Sequence, residues 1–284
     1  MDSIVTSVPL SAGIAALNNI ADKSHDHIWK YGAKIYSQNG EDGILYYLLS
    51  ALGTTPGKTC IELCAGDGIE CNSANLIINH GFTGHLVDGD MAALEMGCKF
   101  YSKIAETKNA SIANRVRFTR AWVTKENIIE LLKNVGFNKH DEVDVLITDI
   151  DGNDYWILQE IMHSEMVNPR IICVEYQDII GPDKALTIPY DPMFNHRRYD
   201  CWNGPNYCGA SLQAFMHLLK QKYAFVGCEG LGFNGFFVRR DLLNEHVKEM
   251  TDISPCFQIS KVVMGMKERW PRTKDMQWVD VTQI

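Results

Sequence analysis

The feature that most constrains the fold is a repeated pattern in which a short apolar segment runs into a turn that carries carboxylates. It occurs in the segments 59–68, 84–90, 143–154 and 170–177. Strands that are covered on both faces read as continuous apolar runs, and helices between such strands form parallel crossovers. The pattern therefore predicts an α/β fold with a largely parallel sheet between two layers of helices.

Apolar spacing places further elements around these segments. It predicts helices over 44–52, 75–78, 128–135 and 212–219, a helix that ends near Met162, and a strand within 116–123. Ser211 is the predicted N-cap of the helix that follows it. Two further strands, 223–228 and 233–238, are joined by only four residues, 229–232. This connection is too short for a parallel crossover, so the sheet is predicted to end in an antiparallel hairpin.

Composition and charge exclude some classes of protein. The chain has 284 residues and a net charge of -8, from 27 basic and 35 acidic residues, which argues against a nucleic-acid partner. The apolar stretch 14–17 is too short to span a bilayer, so no membrane partner is expected and a soluble, cytoplasmic protein is predicted. Nine cysteines without a CxxC pair resemble neither a disulfide framework nor a zinc site.

The predicted organisation is one main domain with two extensions. Residues 1–35 are predicted as an N-terminal helical extension, 36–245 as the main domain and 246–284 as a C-terminal extension that packs on the same domain. Within the main domain, 178–210 lacks periodicity and is rich in aromatic and polar residues, as substrate loops often are. The stretch 250–284 shows no clear period, and covering a sheet edge or forming an oligomer contact are both open.

Ligands of open α/β sheets bind beyond the carboxyl ends of the strands, where this chain places its carboxylates. Such an acidic rim suits a positively charged sulfonium better than a pyrophosphate. The turn Gly66-Asp67-Gly68 also continues into Ile69-Glu70-Cys71 and lacks the third glycine of a dinucleotide fingerprint. Both observations favour S-adenosyl-L-methionine over a nicotinamide cofactor.

Several motifs carry a family resemblance. The segment 61–68 resembles the first motif of class I S-adenosylmethionine-dependent methyltransferases. The segments 36–43, 149–154, 173–176 and 234–238 resemble those of the FkbM-type methyltransferase family, and the similarity covers about residues 36–240. The resemblance implies a Rossmann-like class I methyltransferase fold, with a mostly parallel seven-stranded sheet and a C-terminal antiparallel hairpin.

The resemblance also implies a set of cofactor-binding residues: Gln38, Glu62, Gly66, Asp67, Gly68, Asp88 and Trp122. Glu62 and the two glycines would bend the first turn around the methionine part, and Asp88 would bind the ribose hydroxyls. Trp122 would flank the adenine, and Gln38 would close over the methionine end. A solvated turn carboxylate, a core aromatic and a turn residue are the structural alternatives for Asp88, Trp122 and Gln38.

Methyl transfer to a hydroxyl requires alignment of the acceptor and removal of its proton. The candidate catalytic residues are Asp149, Asp151 and His196. Asp149, Asp151 and Glu175 end adjacent strands and are also candidate ligands of Mg²⁺ or another divalent cation, an arrangement that partly resembles catechol O-methyltransferase. Caps of helices are the structural alternative for these carboxylates. Cys64 is predicted to be a packing residue.

The predicted function is O-methylation of a small polar acceptor, such as a hydroxyl of a sugar, a glycan or a natural product. A nitrogen or carboxylate acceptor remains an alternative, and it would need no metal. A noncatalytic methyltransferase-like module that binds a partner through the loop 189–207 is a further alternative. A dehydrogenase is disfavoured by the incomplete phosphate-binding turn.

Overall fold

The computed structural model describes residues 27–53, 57–195 and 207–284. The strands are β1 Thr59–Leu63, β2 Thr83–Asp88, β3 Val116–Arg120, β4 Asp141–Thr148, β5 Val167–Glu175, β6 Leu186–Thr187, β7 Tyr223–Cys228, β8 Asn234–Arg239 and β9 Val279–Asp280. The α-helices are α1 Glu41–Leu52, α2 Ala74–His80, α3 Met91–Thr107, α4 Ile128–Asn134, α5 Asp154–Ser164, α6 Leu212–Leu219, α7 Ser260–Glu268 and α8 Trp270–Thr273. Short 3-10 helices are Ile28–Tyr31, Ala110–Asn114, Asp178–Ile180, Arg240–Leu242, Ser254–Phe257 and Val281–Gln283.

Seven strands form one sheet in the order β3-β2-β1-β4-β5-β8-β7. The pairs from β3 to β5 are parallel, and β8 runs antiparallel to both β5 and β7. The predicted α/β fold, with a mostly parallel seven-stranded sheet and a C-terminal antiparallel hairpin, is confirmed. The order reverses between β1 and β4, because the crossovers from β1 lead one way and those from β4 lead the other. This switch point is where ligands bind in such sheets.

Two buried apolar clusters, one on each face of the sheet, hold the helices in place. One contains Ile61, Leu146 and Ile172 with side chains of α5 and α6. The other contains Cys60 and Val145 with side chains of α1 and α2. Successive strand residues alternate between the two clusters, as side chains with a period of two must. Among the described residues, no helix is long and apolar enough to cross a membrane.

The third strand, Val116–Arg120, lies within the predicted range 116–123. The apolar run predicted as the fourth strand extends to Ile150, but the strand ends at Thr148. After Thr148, the backbone N–H of Ile150 donates to the Asp154 carboxylate at 2.7 Å, so the chain turns instead of extending. An apolar side chain in a turn looks like a strand residue in the sequence, whereas the hydrogen bond decides where the strand ends.

The helix α3 was not predicted. Asp90 caps it, since its side chain accepts from the backbone N–H groups of Ala92 and Ala93. Its buried residues are Leu94, Gly97, Tyr101 and Ala105, which have helical spacing but include a glycine and an alanine. Apolar periodicity is therefore weak, although the helix packs closely on the glycine turn that follows β1.

We expect Gly97→Ala to destabilise the protein in spite of the better helix propensity of alanine. A Cβ at this position would lie 2.2 Å from the backbone oxygen of Asp67 and 2.6 Å from Cζ of Phe118. Overpacking of this kind costs about 1–3 kcal/mol, more than the roughly 1 kcal/mol that alanine gains over glycine in a helix. Urea unfolding should show a net loss of about 1–2 kcal/mol. Gly230→Ala is the matched control, because its Cβ would meet no atom within 4 Å, and equal stability of both variants would contradict this account.

The C-terminal residues pair with the segment that precedes α6. β9 lies antiparallel to β6, the Val281 N–H donates to the Ala185 oxygen at 2.9 Å, and Arg269 forms an ion pair with the buried Asp178. The edges of the seven-stranded sheet are β3 and β7, so this strand does not extend that sheet. The predicted loop 178–210 thus contains a short strand in its described part. Sequence periodicity missed it because two residues carry no detectable period.

The predicted cap and hairpin are present. Ser211 Oγ accepts from the Ala214 N–H at 3.1 Å at the start of α6. β7 and β8 pair over most of their length, with an irregularity between Phe225 and Gly227. The hairpin places Asn234, the first residue of β8, beside Glu175 at the carboxyl end of β5.

Candidate functional site

A cavity of about 640 Å³ opens at the carboxyl ends of the parallel strands. Its described lining is Gln38, Glu41, Glu62, Cys64, Ala65, Gly66, Asp67, Glu70, Cys71, Asn72, Asp88, Gly89, Asp90, Ala121, Trp122, Val123, Asp149, Ile150, Asp151, Gly152, Asn153, Phe194, Asn195 and Asn234. These residues lie at or after the carboxyl ends of β1, β2, β3 and β4, at the start of β8, or in neighbouring segments. The cavity therefore sits at the switch point of the sheet, as was predicted for the ligand site.

The turn after β1 exposes backbone to the cavity. Gly66 has φ +57°, and a Cβ built there would meet no atom within 4 Å, so its backbone borders open space. Its N–H donates to Asp88 Oδ2 at 2.8 Å, and the N–H of Asp90 donates to Asp88 Oδ1 at 2.7 Å. Asp88 thus joins the turns after β1 and β2. Each carboxylate oxygen retains a further lone pair, because it accepts only one of these bonds.

Gly68 has a different role from the one expected. It does not line the cavity, and a Cβ there would lie 2.6 Å from Leu86 Cδ1 and 3.1 Å from a ring carbon of Phe118. Gly68 also has φ +66°, a conformation that is costly for residues with a side chain. It allows the turn to pack on the sheet, whereas Gly66 is the glycine that faces the cavity.

Glu62 holds the loop that enters α2. Its buried carboxylate accepts from the backbone N–H groups of Asn72, at 2.9 Å, and Ser73, at 2.8 Å, and from the Ser73 hydroxyl. Burial raises the pKa of Glu62, and these hydrogen bonds partly offset that effect. The N–H groups just before the helix are therefore already bonded to a carboxylate of the protein itself.

Gln38 reaches the cavity from a loop that is held by the first residues of α1. Asp42 Oδ2 accepts from the backbone N–H groups of three residues, Ile35, Tyr36 and Ser37, at 2.6–2.8 Å. The neighbouring Glu41 accepts from the Asn234 side-chain amide at 2.8 Å. The loop is thus tied to β8, and the motifs 36–43 and 234–238 meet at one end of the cavity.

Trp122 forms part of the cavity wall beside the turn after β2. Its side chain is 55% exposed, which rules out a core aromatic, and it lies against Gly89. Its Nε1–H donates to the Pro192 oxygen at 2.9 Å. The indole therefore lies between the predicted nucleoside region and the segment that precedes Phe194.

Asp149, Asp151 and Glu175 form a compact carboxylate cluster. Each offers an oxygen, and these three oxygens lie within 4.8 Å of one another. Burial, followed by the charges of Asp151 and Asp154, raises the pKa of Asp149 to about 7. Burial and the charge of Asp149 raise the pKa of Glu175 well above its usual range.

Two non-glycine residues of the cavity have left-handed backbone conformations, Cys64 with φ +60° and Asp151 with φ +56°. Such conformations concentrate at functional sites, where the surrounding structure enforces them. Asp154 stabilises the turn that contains Asp151, because its carboxylate accepts from the N–H groups of Ile150 and Gly152 at 2.7 and 2.9 Å. Burial raises the pKa of the Cys64 thiol well above its usual range, which leaves it without the thiolate that a nucleophile needs.

The structure brings together most of the predicted site. One cavity is lined by eight of the predicted residues: Gln38, Glu62, Gly66, Asp67, Asp88, Trp122, Asp149 and Asp151. Glu175 does not line the cavity, but it lies beside Asp149. His196 lies outside the described residues. The lining residues that sequence reasoning did not single out include Asn153, Phe194 and Asn234. Asn153 and Asn234 were within quoted motifs, but nothing in the sequence indicated that Phe194 would pack against Gly152, where a Cβ would lie 2.4 Å from its ring.

No protein-family model and no curated protein matches the chain. Solved structures with partial similarity include a SAM-dependent methyltransferase from Geobacter sulfurreducens in complex with S-adenosyl-L-homocysteine (16% identity, TM-score 0.39, 70% of this chain and 70% of that chain). Others are the glycopeptide N-methyltransferase MtfA with sinefungin (11%, 0.43, 80% and 94%) and the MccD protein (13%, 0.40, 64% and 71%). These partial similarities assign no reaction to this chain.

Proposed function

We propose that the protein is a class I S-adenosyl-L-methionine-dependent methyltransferase. The observation that carries this proposal is the charge of the cavity. Its charged side chains, among the described lining residues, are all carboxylates: Glu41, Glu62, Asp67, Glu70, Asp88, Asp90, Asp149 and Asp151. Such a cavity attracts a ligand with a positive centre, and the sulfonium of S-adenosyl-L-methionine is one.

The same site disfavours a dinucleotide. Dinucleotide-binding folds place a pyrophosphate on the N–H groups at the start of the first helix. Here the N–H groups of Asn72 and Ser73 donate to the Glu62 carboxylate instead. A pyrophosphate would have to displace a buried carboxylate and approach the remaining ones, so a nicotinamide cofactor fits poorly.

The residues present fit the proposed cofactor. The cavity of about 640 Å³ lies within the roughly 300–1,000 Å³ that is typical of small-molecule sites. Gly66 leaves open space where a side chain would obstruct, and Asp88 ends β2 with lone pairs for two ribose hydroxyls. Trp122 offers an exposed ring for the adenine, and Gln38 and Asp67 also line the cavity.

The bound cofactor would supply an activated methyl group. The residues of the chain would orient the acceptor and take its proton. Asp149 is suited to this task, since it lines the cavity and its pKa of about 7 makes its carboxylate a stronger base than an ordinary aspartate. Glu175 and Asp151 lie beside it, each with a carboxylate oxygen within 4.8 Å of an Asp149 oxygen.

We further propose an FkbM-type enzyme that methylates a hydroxyl of a small polar acceptor, such as a sugar or a natural product. The quoted motifs supply Gln38, Glu41, Asp149, Asn153 and Asn234, all of which line the cavity. A base beside the cofactor site is needed for a hydroxyl acceptor, and it is not needed for a neutral amine or a carboxylate. The presence of Asp149 therefore favours O-methylation.

The test is calorimetric titration of the full chain with S-adenosyl-L-methionine, S-adenosyl-L-homocysteine and NAD. We expect binding of both adenosyl compounds at micromolar concentration and none of NAD. If neither adenosyl compound binds, the methyltransferase proposal is wrong and the noncatalytic module is favoured. Transfer of label from methyl-tritiated cofactor to a panel of sugars, amines and carboxylic acids would then identify the acceptor class.

A finer proposal is that Asp149, Asp151 and Glu175 bind a divalent cation. Three carboxylate oxygens within 4.8 Å match the ligand chemistry of Mg²⁺ and Mn²⁺. Asn234 adds an amide oxygen: it is the cross-strand neighbour of Glu175, it is only 6% exposed, and its Oδ1 has no hydrogen-bond partner among the described residues. A cation would relieve the repulsion and polarise the acceptor hydroxyl.

We expect Mn²⁺ to bind one site per chain, as measured by electron paramagnetic resonance of free Mn²⁺. Asp151→Asn should weaken this binding at least about tenfold, since it removes a charged ligand. Asp67→Asn is the matched control, because it removes the same charge from the same cavity outside the cluster. Equal Mn²⁺ affinity of the two variants would leave Asp149 as a metal-free base.

A further inference from the structure

The segment 186–195, here called the strap, crosses one side of the cavity and is tied to several elements of the sheet. The Ile188 oxygen accepts from Trp156 Nε1 at 2.8 Å, and the Asp191 oxygen accepts from the Asn153 amide at 2.7 Å. The Pro192 oxygen accepts from Trp122 Nε1. At its end, Phe194 and Asn195 line the cavity.

Two of these hydrogen bonds have the same kind of donor and acceptor and differ only in location. Trp156 lies on α5 and does not line the cavity, whereas Trp122 follows β3 and does. Both donate one indole N–H to a strap carbonyl. Of these two indoles, only that of Trp122 both bonds to the strap and lines the cavity.

The exposure of Trp122 suggests why this contact responds to a ligand. A side chain that is 55% exposed keeps much of its rotational freedom, so its hydrogen bond to Pro192 costs entropy each time it forms. A nucleoside stacked on the ring would restrict the indole and lower that cost. The strap would then be held more firmly, and by thermodynamic reciprocity a held strap would favour cofactor binding.

We propose that Trp122 is a positioning residue that couples occupancy of the cofactor site to the strap, and thereby to the part of the cavity that Phe194 lines. This inference rests on the proposed function, because it requires an adenosyl compound next to Trp122. It goes beyond adenine contact, since it assigns a separate task to the indole Nε1–H.

The test is hydrogen exchange of the strap amides, in particular those of Met193 and Phe194, with and without S-adenosyl-L-homocysteine. Trp122→Phe keeps an aromatic ring and removes the donor. In the wild type, we expect the ligand to slow exchange about 2- to 10-fold, the equivalent of one hydrogen bond. In Trp122→Phe, this ligand-dependent slowing should disappear.

Trp156→Phe is the matched control. It removes the same donor from the strap but outside the cavity, so exchange should rise by the same factor with and without the ligand, and the affinity for S-adenosyl-L-homocysteine should not change. An equal ligand-dependent slowing in Trp122→Phe and the wild type would overturn the coupling while leaving the proposed function intact. No binding of S-adenosyl-L-homocysteine by the wild type would overturn both.

Discussion

Replacing Asp88 with alanine should raise the dissociation constant of S-adenosyl-L-methionine at least about 100-fold. Hydrogen bonds to a charged acceptor contribute about 1.5–3 kcal/mol each, and a factor of ten corresponds to about 1.4 kcal/mol. Asp88 is expected to bind two ribose hydroxyls, and it also accepts from the N–H groups of Gly66 and Asp90. Its loss would therefore remove contacts with the ligand and loosen both turns that shape the site.

Calorimetry measures this effect. Asp88→Asn separates the loss of contacts with the ligand from the loosening of the two turns. Asparagine keeps one acceptor oxygen and the shape of the side chain, so an intermediate loss of about tenfold is expected. Asp90→Asn is the control for charge alone, because asparagine also caps helices well and should preserve the start of α3. Affinity of Asp88→Ala within about threefold of the wild type would place the ribose elsewhere.

Asp149→Asn should stabilise the protein at pH 8 while it abolishes the proposed methyl transfer. The pKa of Asp149 in the fold is about 7, well above its usual value of 3.8. A carboxyl group whose folded pKa is raised favours the fold when protonated, so its ionisation destabilises the fold as the pH rises from about 4 to 7. At about 1.4 kcal/mol per pKa unit, the variant should gain about 2–4 kcal/mol at pH 8.

Urea unfolding in the presence of EDTA, at pH 8 and at pH 4, measures this gain. The difference between Asp149→Asn and the wild type should fall to about 0.6 kcal/mol at pH 4, because the carboxyl is then protonated in the folded chain and, with its usual pKa of 3.8, partly protonated in the unfolded chain. Asp67→Asn, in the same cavity but outside the cluster, should change stability by less than about 0.5 kcal/mol. A variant that is less stable than the wild type at pH 8 would show that the charge of Asp149 is compensated in the fold.

This expected exchange of stability for function is common in active sites. Asp149, Asp151 and Glu175 repel one another, and the fold holds them together because Asp149 and Glu175 end two adjacent strands of a well-packed sheet. The Asp154 carboxylate also stabilises the turn after β4, because it accepts two backbone hydrogen bonds there.

The predictable part of the site is its strand-end residues. Glu62, Asp88, Asp149 and Glu175 follow apolar runs, and parallel strands bring their carboxyl ends to one edge. Two assignments depended on packing instead. Gly68 looked equivalent to Gly66 in the sequence, but Leu86 and Phe118 fill the space on its side. Helix α3 was missed because two of its four buried residues are Gly97 and Ala105, whose small size carries little hydrophobic signal.

The sequence by itself determined the α/β class, the antiparallel hairpin and the edge of the sheet that carries the site, because strand and helix periods and the length of a connection are local properties. Only the tertiary structure decided which partners distant residues find. It assigned Glu62 to the loop before α2, placed Asn234 beside Glu175, paired β9 with β6 and set Trp122 against the strap. All but the first of these contacts join residues far apart in the chain, and none of them follows a sequence period.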